Sequence, residues 1–166
     1  MPIYTKSGDT GETRLLFGGR VSKNDQRCEA YGAADQAVSA MGLARALSND
    51  TRVKEVLFSL QHEMFTVGAE LATASDQYKH LEDNFAVVNP DMVARLEALI
   101  DELEAEIELP DAFIIPGASP ASGALDLARS LVRTGERRVV DLRDQGLLVN
   151  LDVLRYLNRL SDLLFM

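Results

Sequence analysis

The chain has 166 residues, 46% of them hydrophobic and 26% charged, with a formal net charge of −9. That length fits one domain with a sizeable core, and the acidic balance excludes a general nucleic-acid surface, which needs a basic footprint. No run is apolar and long enough to span a bilayer and no signal-peptide pattern opens the sequence, so a cytoplasmic protein with no membrane partner is expected.

Cys28 is the single cysteine, so no internal disulfide forms; a reducing compartment and a small buried apolar role are expected for it. His62 and His80 are far apart and no Cys/His cluster occurs, so the sequence offers no protein-held metal site.

Residues 1–24 read as an irregular arm. Gly8, Gly11, Gly18 and Gly19 alternate with hydroxyl residues, and Lys6, Arg14, Arg20 and Lys23 add positive charge. Glycines let successive N–H groups turn into one concavity, so such a segment can wrap a polyphosphate. The glycine-lysine pattern of a P-loop is absent, and a plain flexible arm is the competing explanation.

From Asp25 to Leu47 the sequence is helical and rich in small residues: Ala30, Gly32, Ala33, Ala34, Ala37, Ala40, Gly42 and Ala44. These let a neighbouring helix or a ligand approach closely. Asp35 shares a face with Tyr31, Val38 and Ser39, where a carboxylate pairs with a cation or caps a local amide; Arg129 is the candidate cation. Asn49-Asp50-Thr51 breaks the helix and caps the next. Val53 to Thr73 carries Val56, Leu57, Leu60, Met64, Val67 and Leu71 at core spacing. Residues 74–90 are polar and read as a connecting loop closed by Asn89-Pro90. Met92 to Ile107 is a further amphipathic helix, its acidic face solvated.

Leu109 to Ala118 is a loop between prolines that holds Phe113, Ile114 and Ile115. Three large apolar residues there either seal the bundle end or wall a pocket beside the helix that Ser119-Pro120 begins. In that helix Leu125, Ala128, Val132 and Val139 form an apolar stripe, and Arg129, Arg133 and Glu136 form a second stripe beside it. Arg137, Arg138 and Arg143 extend the basic cluster. Such a row can grip an anion where water is partly excluded, or it can be a set of solvated ion pairs. Asn150 to Met166 is the last helix. Val153, Leu157, Leu160 and Leu164 form one stripe; Asn158 and Ser161 interrupt a second apolar row and need partners. Five helices and no strand-like run predict an all-α bundle, and helices apolar on more than one stripe predict an oligomer.

These pieces together resemble the PduO-type ATP:cob(I)alamin adenosyltransferases. The resemblance is carried by Tyr4-Thr5-Lys6-Ser7-Gly8-Asp9-Thr10-Gly11, Phe17-Gly18-Gly19, Val21-Ser22-Lys23-Asn24-Asp25 and Glu29-Ala30-Tyr31-Gly32 with Asp35. It continues through Phe113-Ile114-Ile115-Pro116-Gly117, Ala128-Arg129 with Arg133 and Glu136, and Tyr156-Leu157-Asn158-Arg159-Leu160-Ser161-Asp162.

The resemblance implies a ferritin-like five-helix bundle, residues 25–166, behind an ATP-binding arm, residues 1–24, in a single domain. It also implies a homotrimer with active sites between subunits. Thr5, Lys6, Ser7, Gly8, Thr13, Arg14 and Lys23 would surround ATP, completed by Arg133, Glu136, Arg137 and Asn158. Phe113 would face the lower side of the corrin, an Asp35–Arg129 pair would hold the corrinoid pocket, and Mg2+ would bridge the phosphates. Catalysis would rest on Arg133, Glu136, Phe113 and Lys23, with a reductase and a cobalamin-dependent acceptor enzyme as further partners.

Gln36, Ala118, Asp126 and Thr134 depart from the family pattern. Thr134 forgoes one arginine contact to phosphate, for which Arg137 and Arg138 could compensate, and a short tail after Asp162 implies a less enclosed corrinoid. Two other functions stay open on the residues: a non-catalytic nucleotide- or corrinoid-binding module, and a structural helical oligomer.

Overall fold

A computed structural model describes residues 3–166; Met1 and Pro2, which open the expected arm, lie outside them. The described residues begin with a small hairpin, β1 (Glu12–Arg14) and β2 (Arg20–Ser22), followed by α1 (Gln26–Leu47), α2 (Thr51–Leu71) and a single 3-10 turn at Ser75–Gln77. Then come α3 (Tyr78–Asn84), α4 (Pro90–Glu106), α5 (Pro120–Asp144) and α6 (Asp152–Phe165). The five long helices fall where the sequence put them, within two residues at most ends. Two elements were not anticipated: the hairpin inside the arm, and α3 inside the expected 74–90 loop.

The helix starts have local causes. Asp50 accepts from Val53 N at 2.9 Å, Asn89 accepts from Met92 N at 3.1 Å ahead of Pro90, and Ser119 and Ser122 form a reciprocal box around Pro120. Each satisfies N–H groups that a helix start would otherwise leave unpaired.

The long helices pack in a ring, with α4 and α6 side by side in the same direction, both starting near the Val88–Asn150 contact. α1 lies between α2 and α5, α6 packs on α5, and α4 packs on α6. Arg52 of α2 closes the ring on Glu102 and Glu106 of α4, at 2.9 and 2.7 Å. The core is built from Ala30, Ala34, Ala37, Met41, Leu60, Met64, Val67, Val132, Leu157 and Leu160 and their neighbours. The alanines of α1 keep α5 near. A Cβ added to Gly135 would sit 3.8 Å from that of Ala33, so α1 and α5 meet almost backbone to backbone.

Three charged side chains, Arg27 and Glu70 buried and Glu63 half-buried, tie this packing together. Arg27, 6% exposed, donates to Leu71 O at 3.3 Å, Ser75 Oγ at 2.8 Å and Leu147 O at 2.8 Å. It thereby joins the start of α1, the end of α2 and the α5–α6 connection; burial lowers its pKa, opposed by Asp25 and Asp76. Glu70, 5% exposed, accepts from Tyr78 Oη at 2.8 Å, Val88 N at 2.5 Å and Asn150 Nδ2 at 3.0 Å. Burial raises its pKa, and the three donors only partly offset that rise. Glu63 accepts from Tyr156 Oη at 2.7 Å and pairs with Arg95, tying α2 to α6 and α4.

Replacing Arg27 with alanine removes the donor from interior oxygens and is expected to lower the unfolding free energy by about 2–4 kcal/mol. Urea denaturation reads this, and a loss under about 0.5 kcal/mol would show the ties to be dispensable. For Glu70 the folded state binds its proton more tightly than the unfolded state. Its contribution to stability therefore falls as pH rises from the ordinary carboxyl range through the raised folded-state pKa, and then levels. Measured against Glu70→Gln, the wild type should lose relative stability across that window; a gain with rising pH would contradict the assignment.

Candidate functional site

The arm is folded. β1 and β2 pair antiparallel with Glu12 opposite Ser22, Thr13 opposite Val21 and Arg14 opposite Arg20. Ahead of β1 the chain bends back on itself, with Lys6 at φ 59° and Gly11 at φ 82°. Asp9 N reaches Lys6 O at 3.3 Å, Gly11 N reaches Gly8 O at 3.2 Å, and Lys23 N reaches Gly11 O at 2.8 Å. Thr5 Oγ1 and Ser7 Oγ lie 2.7 Å apart. The Lys23 ammonium sits over Gly8, where a Cβ would come within 3.1 Å of Nζ. Thr5, Lys6, Ser7, Gly8, Thr13, Arg14 and Lys23 are thus gathered on one small scaffold of backbone amides, hydroxyls and cations, a donor set suited to phosphate oxygens. On sequence Arg20 is only one of the arm's positive charges, not part of the ATP set. It braces the scaffold by donating to Ser7 O at 2.6 Å and pairing with Glu12 at 3.1 Å.

Cys28 lies at the base of the arm, half-buried rather than in the core. Its sulfur is 3.0 Å from the Tyr31 hydroxyl and 3.6 Å from Ser22 O. Burial first, and then the neighbouring thiol, push the Tyr31 phenol up to about 12. His62 and His80 each pack edge-on against a phenylalanine ring, Phe58 at 4.6 Å and Phe17 at 4.8 Å.

On α5 the expected second stripe is present, but its charges are not mutually paired. Glu136 accepts from Asn158 Nδ2 at 3.2 Å; Asn158 Oδ1 accepts from Arg159, whose Nε reaches Glu97 at 2.8 Å. Ser161 finds its partner in the Asn158 carbonyl at 2.8 Å. Glu136 is therefore engaged by α6, and Arg133 is exposed with no ion pair among the described residues. Arg137 donates to Thr134 Oγ1 at 3.0 Å, and Arg138 bridges Glu29 and Asp141 at 3.6 and 3.7 Å. Thr134, where the family pattern has arginine, thus orients Arg137.

The Asp35–Arg129 pair is not formed within one chain. Arg129 Nη2 lies 2.8 Å from Asp126 Oδ1, one turn earlier on the same helix, and not against Asp35. The i,i+3 carboxylate is reached without closing any distance between helices. Within one chain Asp35 instead lines two grooves. One, of about 450 Å³ between α1 and α2, is bordered by Leu16, Tyr31, Phe65 and Gly68; the other, of about 550 Å³, by Ser39, Leu43, Leu127 and Leu131.

The loop before α5 does not seal the bundle end. Ile114, Ile115 and Pro116 wall a cavity of about 250 Å³ together with Leu125, Asp126, Arg129 and Phe165. Phe113 is 104% exposed, so its ring projects away from the chain.

The arm and the α5 edge do not meet within one chain. The arm bonds to residues 72–74, and Leu16 borders the α1–α2 groove. Among the described residues no arm side chain bonds α5. No group of three or more His, Cys, Asp or Glu among them is placed to hold a metal ion. No described helix is long and apolar enough to cross a membrane.

Comparison with known proteins bears on this geometry. The cobalamin adenosyltransferase family model matches residues 3–166. The corrinoid adenosyltransferase of Bacillus subtilis is 40% identical over 171 residues, covering 99% of this chain and 83% of that protein. The corrinoid adenosyltransferase PduO of Salmonella typhimurium is 38% identical over 165 residues, 99% of this chain but 48% of that protein. The chain therefore spans about half the length of the PduO proteins it matches. Among solved structures, a phenylalanine-to-alanine variant of a PduO-type ATP:corrinoid adenosyltransferase from Lactobacillus reuteri, complexed with cobalamin and ATP, superposes with a TM-score of 0.90. It shares 34% identity, over 99% of this chain and 90% of that one. An arginine-to-lysine variant complexed with ATP gives a TM-score of 0.87 at the same identity. With a family match over every described residue and relatives at this identity across nearly the full chain, the protein belongs to the cobalamin adenosyltransferase family.

Proposed function

We propose that this chain transfers the 5′-deoxyadenosyl group of ATP to the cobalt of cob(I)alamin and releases triphosphate. The observation that carries this activity is the uncommitted guanidinium of Arg133 beside the Glu136–Asn158 pair, in a chain that matches the family from residue 3 to 166. The named activities of relatives with cobalamin and ATP bound support it. The reactive electron pair belongs to cobalt(I). As it forms the bond to C5′, the C5′–O bond breaks and its electrons leave with the triphosphate. No side-chain nucleophile is required. The protein's work is to hold two substrates in line and stabilise charge on the leaving group.

The arm donors and Lys23 take the nucleotide and its phosphates, and Arg133 and Arg137 meet the triphosphate as its charge grows. Glu136 and Asn158 hold each other where a ribose or adenine edge can be read. Mg2+ would be held mainly by the phosphate oxygens of ATP itself and would neutralise part of their charge. The apolar ring of Phe113 covers the lower face of the corrin, where it cannot ligate cobalt.

The arm and the α5 edge meet across chains in a homotrimer. The exposed Leu43, Phe58, Phe65 and Leu127 around the α1 grooves support burial by a second copy, which would also bring Arg129 or another cation to Asp35. A reductase supplies cobalt(I) and a cobalamin-dependent enzyme accepts the product, in the cytoplasm, where the single thiol Cys28 stays reduced.

Purified protein given ATP, magnesium and chemically reduced cob(I)alamin without oxygen should convert the cob(I)alamin spectrum to that of adenosylcobalamin. Folded protein that binds ATP or corrinoid without forming product would instead establish a binding module. Arg133→Ala is expected to lower the rate by about 10²–10³-fold, as for loss of one transition-state donor. Phe113→Ala should slow turnover that starts from cob(II)alamin and a reductant more than turnover that starts from cob(I)alamin. Equal effects on the two would remove Phe113 from the reduction step.

A further inference from the structure

A hairpin of two three-residue strands is not stable by itself in water, yet here it carries Thr13 and Arg14 and organises the Thr5–Gly8 segment. Something outside it must hold its shape. At the tip, Leu16 N donates to Ala72 O at 2.9 Å and Ala74 N donates to Phe17 O at 2.8 Å, while Leu15 is buried to 5% exposure. The Phe17 ring stands edge-on to His80 of α3, with centroids 4.8 Å apart and planes at 83°, and lies 5.6 Å from the ring of Phe85 just beyond α3. Gly18 makes the approach possible. At φ 137° it is in a backbone region that favours glycine, and a Cβ there would come within 2.9 Å of the Ala74 Cβ. α3 turns Leu81 into the core and Tyr78 onto the buried Glu70 carboxylate. On its outer side His80, with Phe85 just after the helix, forms the socket in which the arm's tip rests.

We propose that Phe17 is a positioning residue, and that its socket on α3 sets the affinity of the arm for ATP. This rests on the nucleotide-binding role proposed above for the arm. Phe17 is kept apart from the chemistry; it acts by holding the hairpin in the shape that presents Lys6, Ser7, Thr13 and Lys23 together. An arm that holds this shape for only a fraction of the time binds ATP more weakly by that fraction. Once ATP is bound, the reacting atoms are placed as before. The signature is a change in KM for ATP without a matching change in kcat.

The test is steady-state adenosylation of cob(I)alamin by the full-length chain with ATP varied, beside calorimetric ATP binding. Phe17→Ala is expected to raise KM for ATP and the ATP dissociation constant about tenfold, with kcat and the corrinoid KM within about twofold. Phe17→Tyr keeps the ring and should restore the wild-type values. His80→Ala, on the opposite wall and largely exposed, should act in the same direction, and the Phe17→Ala/His80→Ala double variant should be no worse than Phe17→Ala. If Phe17→Ala does not fold, the His80→Ala shift decides alone. Unchanged ATP affinity in the folded variants, or a loss confined to kcat, would overturn the socket while wild-type turnover leaves the proposed activity standing. A wild type that neither binds nor turns over ATP would overturn both.

Discussion

Three stretches of chain that are distant in sequence are held at one buried point, the guanidinium of Arg27. Its donors reach the last carbonyl of α2, the hydroxyl of Ser75 and a carbonyl between α5 and α6. A buried guanidinium is costly unless its N–H groups are satisfied. Satisfying them fixes where α2 ends and where the chain turns toward α6. The consequences reach the surface. The residues just after α2 take the tip of the hairpin, and the turn into α6 sets the level at which Asn158 faces Glu136. The geometry of both halves of the candidate site thus descends from one side chain that touches neither.

The second constraint is steric. The small side chains of α1 leave α5 little to rest on except backbone, so α5 lies close and its basic edge is carried at a fixed height above α1. Around that edge most cations have local acids or acceptors: Arg129 has Asp126, Arg138 has Glu29 and Asp141, and Arg143 has Asp144. In a chain of net charge −9, a cation without a partner is the informative one. Among the described residues Arg133 is in that position because the carboxylate one turn away is occupied by Asn158. Neutralising Arg133 inside the chain would remove the attraction that an incoming phosphate can exploit.

Much of this was legible in the sequence, for reasons that can be named. Asp50, Asn89-Pro90 and Ser119-Pro120 are start signals with one physical use, and the apolar periods behind them run for four turns or more. The short helix α3 was missed because seven residues with a single buried leucine carry no period. The three-residue strands were missed because alternation over so short a length is not a pattern. Within one chain Arg129 takes Asp126 rather than Asp35, since an acid three residues away on the same helix is reached without bringing two elements together. Arg27 and Glu70 were overlooked, although both lie on apolar stripes. Arg27 continues the row Ala30, Ala34, Ala37 and Met41, and Glu70 adjoins Leu60, Met64, Val67 and Leu71. A charged residue in such a row is a signal of a buried polar junction.

The arm borders the groove between α1 and α2, while the cationic edge of α5 lies past the other side of α1. On the proposed activity, a solitary copy then owns both components of a nucleotide grip and can assemble neither into a working whole. In the proposed homotrimer catalysis would be a collective property, fading on dilution as copies part company. Chains damaged on opposite flanks could cure one another when mixed, because a single intact seam needs only one good surface from each.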